Sequence, residues 1–481
     1  MSETQALLVN SGSFDDFSTI VEEDPSLLPS GKESQTTVLE EMKVILRTSV
    51  PLSVTFFLQY SMSVVSIFTV SRIGKRELAA VSLATMTFNI TSSIFTGMAT
   101  CLETFCSQAY GAKKYNLVGI YFQRCFLVIS IFSIPLILLW WFSSSLLRYI
   151  VTDYELAVLA ESYLRVTTFC IPAYIFFETS KRYLQAQNIF VAGQYVLFIV
   201  APINILLNYE LVWNKYFGIG FLGAPLATSL SYWLAAGMMF VYMFFIDGHQ
   251  CWFGIDHENL FKEWERILPM ALNGTAMLLS EFVAFEILTL SSARFGTSTL
   301  AAQSIASTLA TLCFQIPFAV SVACATRIAI LLGAGRSKDA IISTKTSYYL
   351  SLAISLTNFS LLFFAKFKVI VFFTSDAKVI KIADTILFIL SLNQLWDCPN
   401  IVGAGILRAQ GRQSVGSKLN IIAYYIFALP LALYLGFTCG MNVKGLWIGL
   451  GIGIFFLACS ELFMVLITDW VMVVDSAISR T

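Results

Sequence analysis

Three carboxylic acids, Glu281, Glu286 and Asp397, lie inside long apolar stretches of the sequence. An ionisable group in the middle of a bilayer costs at least about 2.5–3.5 kcal/mol on insertion scales, so each suggests a function. Burial favours the protonated form of a carboxyl group, and a second carboxyl nearby favours it further. Such a group can hold a proton on one side of a membrane, release it on the other side and then bind a cation. We therefore predict that these three acids form a site where protons and a cationic substrate compete.

The spacing of the acids sets how a helix would present them. A step of five residues from Glu281 to Glu286 is about 500° of rotation, which places the two side chains about 140° apart on a regular helix. Asp397 precedes Pro399, which removes a backbone N–H and tends to bend a helix. The structural alternative for each acid is a hydrogen bond to Asn, Gln or Tyr that fixes helix packing. A further acid, Glu461, has no recognisable partner in the sequence.

The composition indicates the elements that must position these acids. The chain has 481 residues, of which 57% are apolar and only 12% charged, with a mean hydropathy of +0.75. Its apolar runs are about 20 residues long, the length of a membrane-spanning helix rather than of a barrel strand. We expect an all-α polytopic membrane protein with spans at 48–70, 78–100, 121–142, 157–178, 190–208, 221–246, 267–290, 300–322, 346–373, 382–406, 419–438 and 445–468.

Internal repeats divide these twelve spans into two halves. Leu78-Ala-Ala recurs as Leu300-Ala-Ala, 222 positions later, and Gly111-Ala recurs at the same offset as Gly333-Ala. Six spans in each half give both copies the same orientation, so we predict two pseudo-symmetric six-helix lobes. We expect both glycines to adopt positive φ where a helix turns at the membrane surface.

The predicted domains follow from the repeats and the polar stretches. They are a disordered cytosolic arm (1–40), an N-lobe (41–247), a cytosolic linker (248–266), a C-lobe (267–470) and a short cytosolic tail (471–481). Lysine and arginine are more frequent on the side that holds both termini, which indicates that the termini are cytosolic. The arm contains Glu23, Leu27 and Leu28 in the pattern of an acidic dileucine sorting signal, which would bind a sorting adaptor. We expect a vacuolar, lysosomal or plasma membrane location.

Four segments carry a resemblance to a known family. They are GMATCLETFCSQAYGA at 97–112, LQAQ at 184–187, RIAILLGAG at 327–335 and GILRAQGRQSVGSKLN at 405–420. Together with the surrounding spans, they resemble the eukaryotic MATE (multidrug and toxic compound extrusion) family over residues 40–470. The resemblance implies a proton- or sodium-driven antiporter that expels organic cations or other amphipathic solutes. The candidate carboxylates have no obvious oxygen-rich cage around them in the sequence, which favours protons over sodium.

The resemblance also bears on the site residues. Glu281 and Glu286 match the acidic pair of the seventh span in this family, and Asp397 matches the acid of the tenth. In many bacterial relatives the first span carries an aspartate where this chain has Ser66. This places the coupling site in the C-lobe. By the repeat offset, Glu281 corresponds to Gln59 in the N-lobe.

Other residues are candidates for the wall of a central cavity. Gln59 and Tyr60 could supply hydrogen bonds there. Four aromatic residues could favour flat organic cations through cation–π contacts: Phe282, Phe285, Tyr424 and Tyr425. Packing in the helix core is the alternative for each.

Two other functions remain open at this stage. A flippase for lipids or lipid-linked sugars would need several basic groups in its cavity, and Arg165 is the only basic residue that we place in the middle of a span. A membrane-embedded transferase would need a catalytic cluster, whereas both histidines (His249 and His257) lie in one polar loop. We expect no enzyme activity, cofactor, metal or nucleic-acid partner, and a monomer in contact with lipid.

Overall fold

The computed structural model describes residues 36–148, 153–216 and 218–481. Twelve helices in these ranges are long and apolar enough to cross a membrane, which confirms the predicted count and an integral multi-pass protein. They are α1 (Val38–Ser71), α2 (Arg76–Gly111), α3 (Tyr115–Trp141), α4 (Tyr154–Ala186), α5 (Ala192–Trp213), α6 (Gly220–Ile246), α7 (Trp264–Ala293), α8 (Thr297–Gly333), α9 (Ser337–Phe373), α10 (Ala377–Ala409), α11 (Gln413–Thr438) and α12 (Asn442–Leu466).

Several helices extend beyond the predicted apolar windows. The eighth window ends at residue 322, whereas α8 continues to Gly333. The predicted window stops shortly before Thr326 and Arg327, two polar residues, but the backbone remains helical as far as Gly333. Left-handed residues follow these ends at repeat-related positions, with φ of 58° at Lys113 and 74° at Gly335. The expectation of positive φ at Gly111 and Gly333 is wrong, because each is the last residue of its helix and does not have a positive φ.

The two halves pack through related pairs of helices, with α1 against α8 and α2 against α7. Glycines allow the close crossing of α2 and α7. A Cβ atom on Gly97 would lie 2.5 Å from the Cα of Thr275, and one on Gly274 would lie 2.6 Å from the carbonyl oxygen of Gly97. The backbones of the two halves are therefore in direct contact in the middle of the molecule.

The connection between the halves is fixed to α3. Gln123 Nε2 donates to the carbonyl oxygen of Gly254 at 2.8 Å, and Arg124 Nε donates to that of Asn259 at 2.9 Å. Arg124 also pairs with Glu263 at 2.6 Å. The predicted linker is therefore anchored along its length, and α7 begins within it, at Trp264.

A further helix beyond the twelve spans, α13 (Trp470–Arg480), occupies the predicted C-terminal tail. Asp469 caps it by accepting hydrogen bonds from the N–H groups of Val471 and Met472. At its other end, Arg480 Nη1 donates to Gln108 Oε1 and to the carbonyl oxygen of Gln410, both at 3.3 Å. This helix thus contacts both halves.

The sorting motif at Glu23, Leu27 and Leu28 lies outside the described residues, as does nearly all of the predicted arm.

Candidate functional site

A cavity of about 380 Å³ lies between the two halves. Its wall is formed by residues of α1, α2, α4 and α6 from the first half and of α7, α8, α10 and α12 from the second. Both halves therefore contribute to one central site.

The three predicted acids all line this cavity. Glu281 and Glu286 come from α7 and Asp397 comes from α10. In the described part of the chain, no lysine, arginine or histidine forms an ion pair with any of the three. The cavity extends around α7 far enough to contact both acids, although a regular helix separates them by about 140°.

The cavity wall is acidic. Among the described residues, its lining contains four carboxylates and no lysine or arginine. The fourth carboxylate, Glu178, is paired with Lys181 at 2.7 Å and with Arg182 at 2.9 Å. The lining carboxyl groups without a basic partner among the described residues are therefore the three acids of the second half.

Gln59 occupies the position in α1 that corresponds to Glu281 by the repeat, and it too lines the cavity. Its amide donates to Glu178 Oε1 at 2.9 Å and accepts from Lys181 Nζ at 3.0 Å. An amide serves both partners, whereas a carboxylate could not donate to Glu178. The first half thus places a neutral amide, hydrogen-bonded on both sides, at the position that corresponds to Glu281.

The predicted wall aromatics divide into two groups. Tyr60, Phe282 and Phe285 line the cavity. Tyr424 and Tyr425 do not, which corrects the prediction: Tyr424 is fully buried, and the hydroxyl of Tyr425 donates to the carbonyl oxygen of Ser280 at 3.4 Å. The reason is that α11 packs behind α7 and α12, which themselves form the wall.

A buried ionic network was missed in the sequence. Glu103 of α2 lies 3.0 Å from Arg408 of α10 and 3.5 Å from Arg182 of α4, and all three side chains are at most 3% exposed. The i, i+3 and i, i+4 spacing of Glu178, Lys181 and Arg182 was the available signal. Arg165, the basic residue predicted in the middle of the fourth span, pairs with Glu161 at 2.5 Å, and its side chain is 46% exposed.

Further contacts join the halves near the same network. Thr104 Oγ1 donates to the carbonyl oxygen of Arg408 at 2.6 Å, and Gln108 Nε2 donates to that of Ala409 at 2.9 Å. Arg327 of α8 pairs with Glu41 of α1 at 2.6 Å. The halves are therefore bonded together at the end of the molecule where α2, α8 and α10 end.

Residues 36–148, 153–216 and 218–481 contain no group of three or more His, Cys, Asp or Glu side chains arranged to hold a metal ion.

Comparison with known proteins gives a consistent result. The sequence profile of the MatE family matches residues 51–210 and 274–434. An uncharacterized transporter of Saccharomyces cerevisiae is 42% identical over 94% of this chain, which spans 65% of that relative's length. Multidrug and toxin extrusion protein 2 of Mus musculus is 29% identical over 92% of this chain and 77% of its own. The crystal structure of the eukaryotic MATE transporter AtDTX14 superposes with a TM-score of 0.86 at 27% identity, covering 92% of this chain and 98% of the other.

Proposed function

Since the chain belongs to the MatE family of multidrug and toxin extrusion transporters, we propose that it is an antiporter that exchanges protons for organic cations. The observation that supports this most directly is the cavity wall, which has three unpaired carboxyl groups and, among the described residues, no lysine or arginine. An acidic, partly aromatic cavity attracts a positively charged solute.

In the proposed cycle, Glu281 and Asp397 hold protons while no substrate is bound. Release of a proton leaves a carboxylate in a site of low dielectric, where it binds a cation more strongly than it would in water. Proton and cation thus compete for the same carboxyl groups. A bound proton keeps a carboxyl group neutral, whereas a bound cation favours the ionised carboxylate. Such competition is sufficient for exchange when the cavity opens to the two sides in turn.

The roles of the other wall residues follow from their contacts. Phe282 and Phe285 lie between the two acids of α7 in the sequence and supply ring faces for a flat cation. Gln59 and Glu178 are held by Lys181 and therefore supply a fixed polar wall on the opposite side. Glu286 lies about 1.4 turns beyond Glu281 and extends the acidic surface along α7.

A flippase for lipid phosphates fits this wall less well. Phosphate binding requires basic groups that face the substrate. The buried Lys181, Arg182 and Arg408 are all paired with carboxylates, and none is a lining residue of the central cavity.

The test is uptake of a fluorescent organic cation into proteoliposomes under an imposed pH gradient. We expect gradient-dependent uptake by the wild type and its loss in Glu281→Gln, which keeps the shape of the side chain but removes the charge. Glu258→Gln, an exposed substitution of the same type in the connection, serves as the matched control and should transport normally.

Two results would contradict the proposal. One is uptake by the wild type that follows an imposed sodium gradient and ignores the proton gradient. The other is undiminished proton-driven uptake by Glu281→Gln.

A further inference from the structure

The body of helix α13 (470–477) is packed against the second half of the molecule. Val473, Val474 and Ala477 are at most 8% exposed and belong to an apolar cluster formed mainly by residues of α8, α9 and α10. Their i, i+1 and i+4 spacing places them on one face of the helix. This face contacts α8 and α9. The body of α13 is thus held on the second half by apolar contacts, which are costly to expose to water.

The start of α13 is fixed to the second half as well. Arg412, in the connection between α10 and α11, donates through Nη1 to Thr468 Oγ1 at 2.6 Å and to the carbonyl oxygen of Met464 at 3.2 Å. Thr468 lies between α12 and α13, and Asp469 at the next position caps α13. We therefore expect α13 to move with the second half from its first residue.

The opposite end of α13, Arg480 with the following Thr481, forms a tip that is bonded to the first half. Arg480 Nη1 donates to Gln108 Oε1 of α2 at 3.3 Å. The hydroxyl of Tyr121 in α3 donates to the carbonyl oxygen of Arg480 at 2.7 Å, and Lys114 Nζ donates to that of Thr481 at 2.6 Å. All three bonds are polar, so water can replace each partner when the tip leaves the first half.

Arg480 reaches the first half through a gap beside Gly411. A Cβ atom on Gly411 would overlap the guanidinium group of Arg480, which also donates to the carbonyl oxygen of Gln410 at 3.3 Å. The Gln108 amide is bonded twice across the boundary, since its Oε1 accepts from Arg480 and its Nε2 donates to the carbonyl oxygen of Ala409 at 2.9 Å. Arg480 and Gln108 therefore interlock the two halves.

Separation of the halves at this end would break the bonds of the tip. Gln108, Lys114 and Tyr121 belong to the first half, whereas the start and the body of α13 are anchored to the second. Alternating exchange requires the cavity to open to each side in turn, so the halves must separate at this end in one of the two states. The bonds of the tip therefore stabilise the closed arrangement and oppose opening here.

We propose that α13 is a strap, anchored on the second half, whose tip holds the halves together and detaches when they separate at this end. The polar groups of the tip then bond to water, while the body stays on α8 and α9. Arg480 is a positioning residue in this scheme, because it lies outside the cavity wall and does not touch the substrate. The inference rests on the alternating exchange proposed above.

The test weakens the tip from each side and measures hydrogen–deuterium exchange of the purified protein. Residues 104–112 report separation of the halves, because this segment bonds to the end of α10 and to the tip in the closed arrangement. Tyr121→Phe removes one hydroxyl and keeps the ring, whereas Arg480→Met removes the guanidinium donors. Exchange of 104–112 should be about 2- to 10-fold faster in Tyr121→Phe, the range for one lost hydrogen bond. The increase in Arg480→Met should be at least as large.

Ser479→Ala in the same turn of α13 is the matched control. Among the described residues, the Ser479 hydroxyl bonds only to the carbonyl oxygen of Ser476, within the helix. Exchange of 104–112 in this variant should equal that of the wild type. Residues 470–477 should stay as protected as in the wild type in all three variants, because the second half holds the body of α13.

Two results would overturn the proposal. One is exchange of 104–112 at the wild-type rate in a folded Tyr121→Phe or Arg480→Met protein. The other is faster exchange throughout 470–477 in Tyr121→Phe, because the first half would then be what holds α13 in place. Tyr121→Phe keeps the proposal falsifiable if Arg480→Met does not fold. If the wild type transports no cation under a proton gradient, the proposed function fails, whereas the exchange measurements need no substrate and still decide the role of α13.

Discussion

Gly111 of α2 and Gly333 of α8 each lie directly against the backbone of the opposite half. A Cβ atom on Gly111 would be 2.0 Å from the carbonyl oxygen of Ile330, and one on Gly333 would be 2.0 Å from that of Gln108. The two glycines are 222 positions apart in the sequence, and so are the two residues that they contact, Gln108 and Ile330. The ends of α2 and α8 therefore cross in a twofold-related contact that no residue with a side chain could form.

Gly333→Ala should weaken the closed arrangement at this crossing. A methyl group cannot be accommodated against a backbone carbonyl without a shift of the helices, which we expect to cost about 1–3 kcal/mol. Hydrogen exchange in 104–112 should therefore be faster than in the wild type. Gly237→Ala in α6 is the control, because a Cβ atom there meets nothing within 4 Å. Equal exchange in the two variants would show that the crossing does not hold the halves together.

Cation binding should depend on pH in a definite direction. If the cation needs an ionised carboxyl in the cavity, then protonation competes with it, and the affinity should fall as the pH is lowered. With one competing proton, the fall approaches about tenfold per pH unit once the acid is mainly protonated. In Asp397→Asn the dependence should be smaller, because one of the competing groups is absent. Titration of the wild type and of Asp397→Asn with the fluorescent cation, at a series of pH values, measures the two pH dependences. Affinity independent of pH in the wild type would contradict competition at these acids.

Phe285→Leu should weaken binding of flat aromatic cations. The ring of Phe285 lines the cavity and packs edge-on against Trp447, with the ring centroids 6.2 Å apart. Loss of a cation–π contact of about 0.5–2 kcal/mol corresponds to a decrease of about 2- to 30-fold in affinity. Tyr425→Leu removes an aromatic ring that is absent from the wall and should bind normally. The measurement is the Kd of the cation for each variant. Equal losses of affinity in Phe285→Leu and Tyr425→Leu would contradict a role for Phe285 in the cavity wall.

Lys181→Met should destabilise the protein and add negative charge to the cavity. The side chain of Lys181 is 3% exposed and pairs with Glu178, which lines the wall. Removing one member of a buried ion pair costs about 3–5 kcal/mol. We therefore expect a lower midpoint of thermal unfolding in detergent.

The double variant Lys181→Met with Glu178→Gln is the control for this prediction. Removing both charges eliminates the unpaired carboxylate, so most of the lost stability should return. A double variant that is less stable than Lys181→Met alone would show that Glu178 is stabilised mainly by Arg182.

Hydropathy was sufficient to predict the twelve helices, because it is a property of a single segment. A run of about 20 apolar residues must form a helix in a bilayer, since its backbone groups have no other hydrogen-bond partners there. The positions of Glu281, Glu286 and Asp397 within such runs likewise identified candidate acids from insertion cost alone. The repeat offset also paired Gln59 with Glu281, and the structure places both on the wall of one cavity.

Which helices meet was decided only by the tertiary structure. Glu103 and Arg408 are 305 positions apart, and nothing in either segment indicates that their side chains bond. Tyr424 was a reasonable aromatic candidate by sequence, yet the position of α11 behind α7 and α12 buries it away from the cavity. Gly111 and Gly333 were recognisable as helix ends, but their use for a close crossing depends on the partner helix. Contacts between distant segments depend on how whole helices pack, and the composition of one segment does not specify its neighbours.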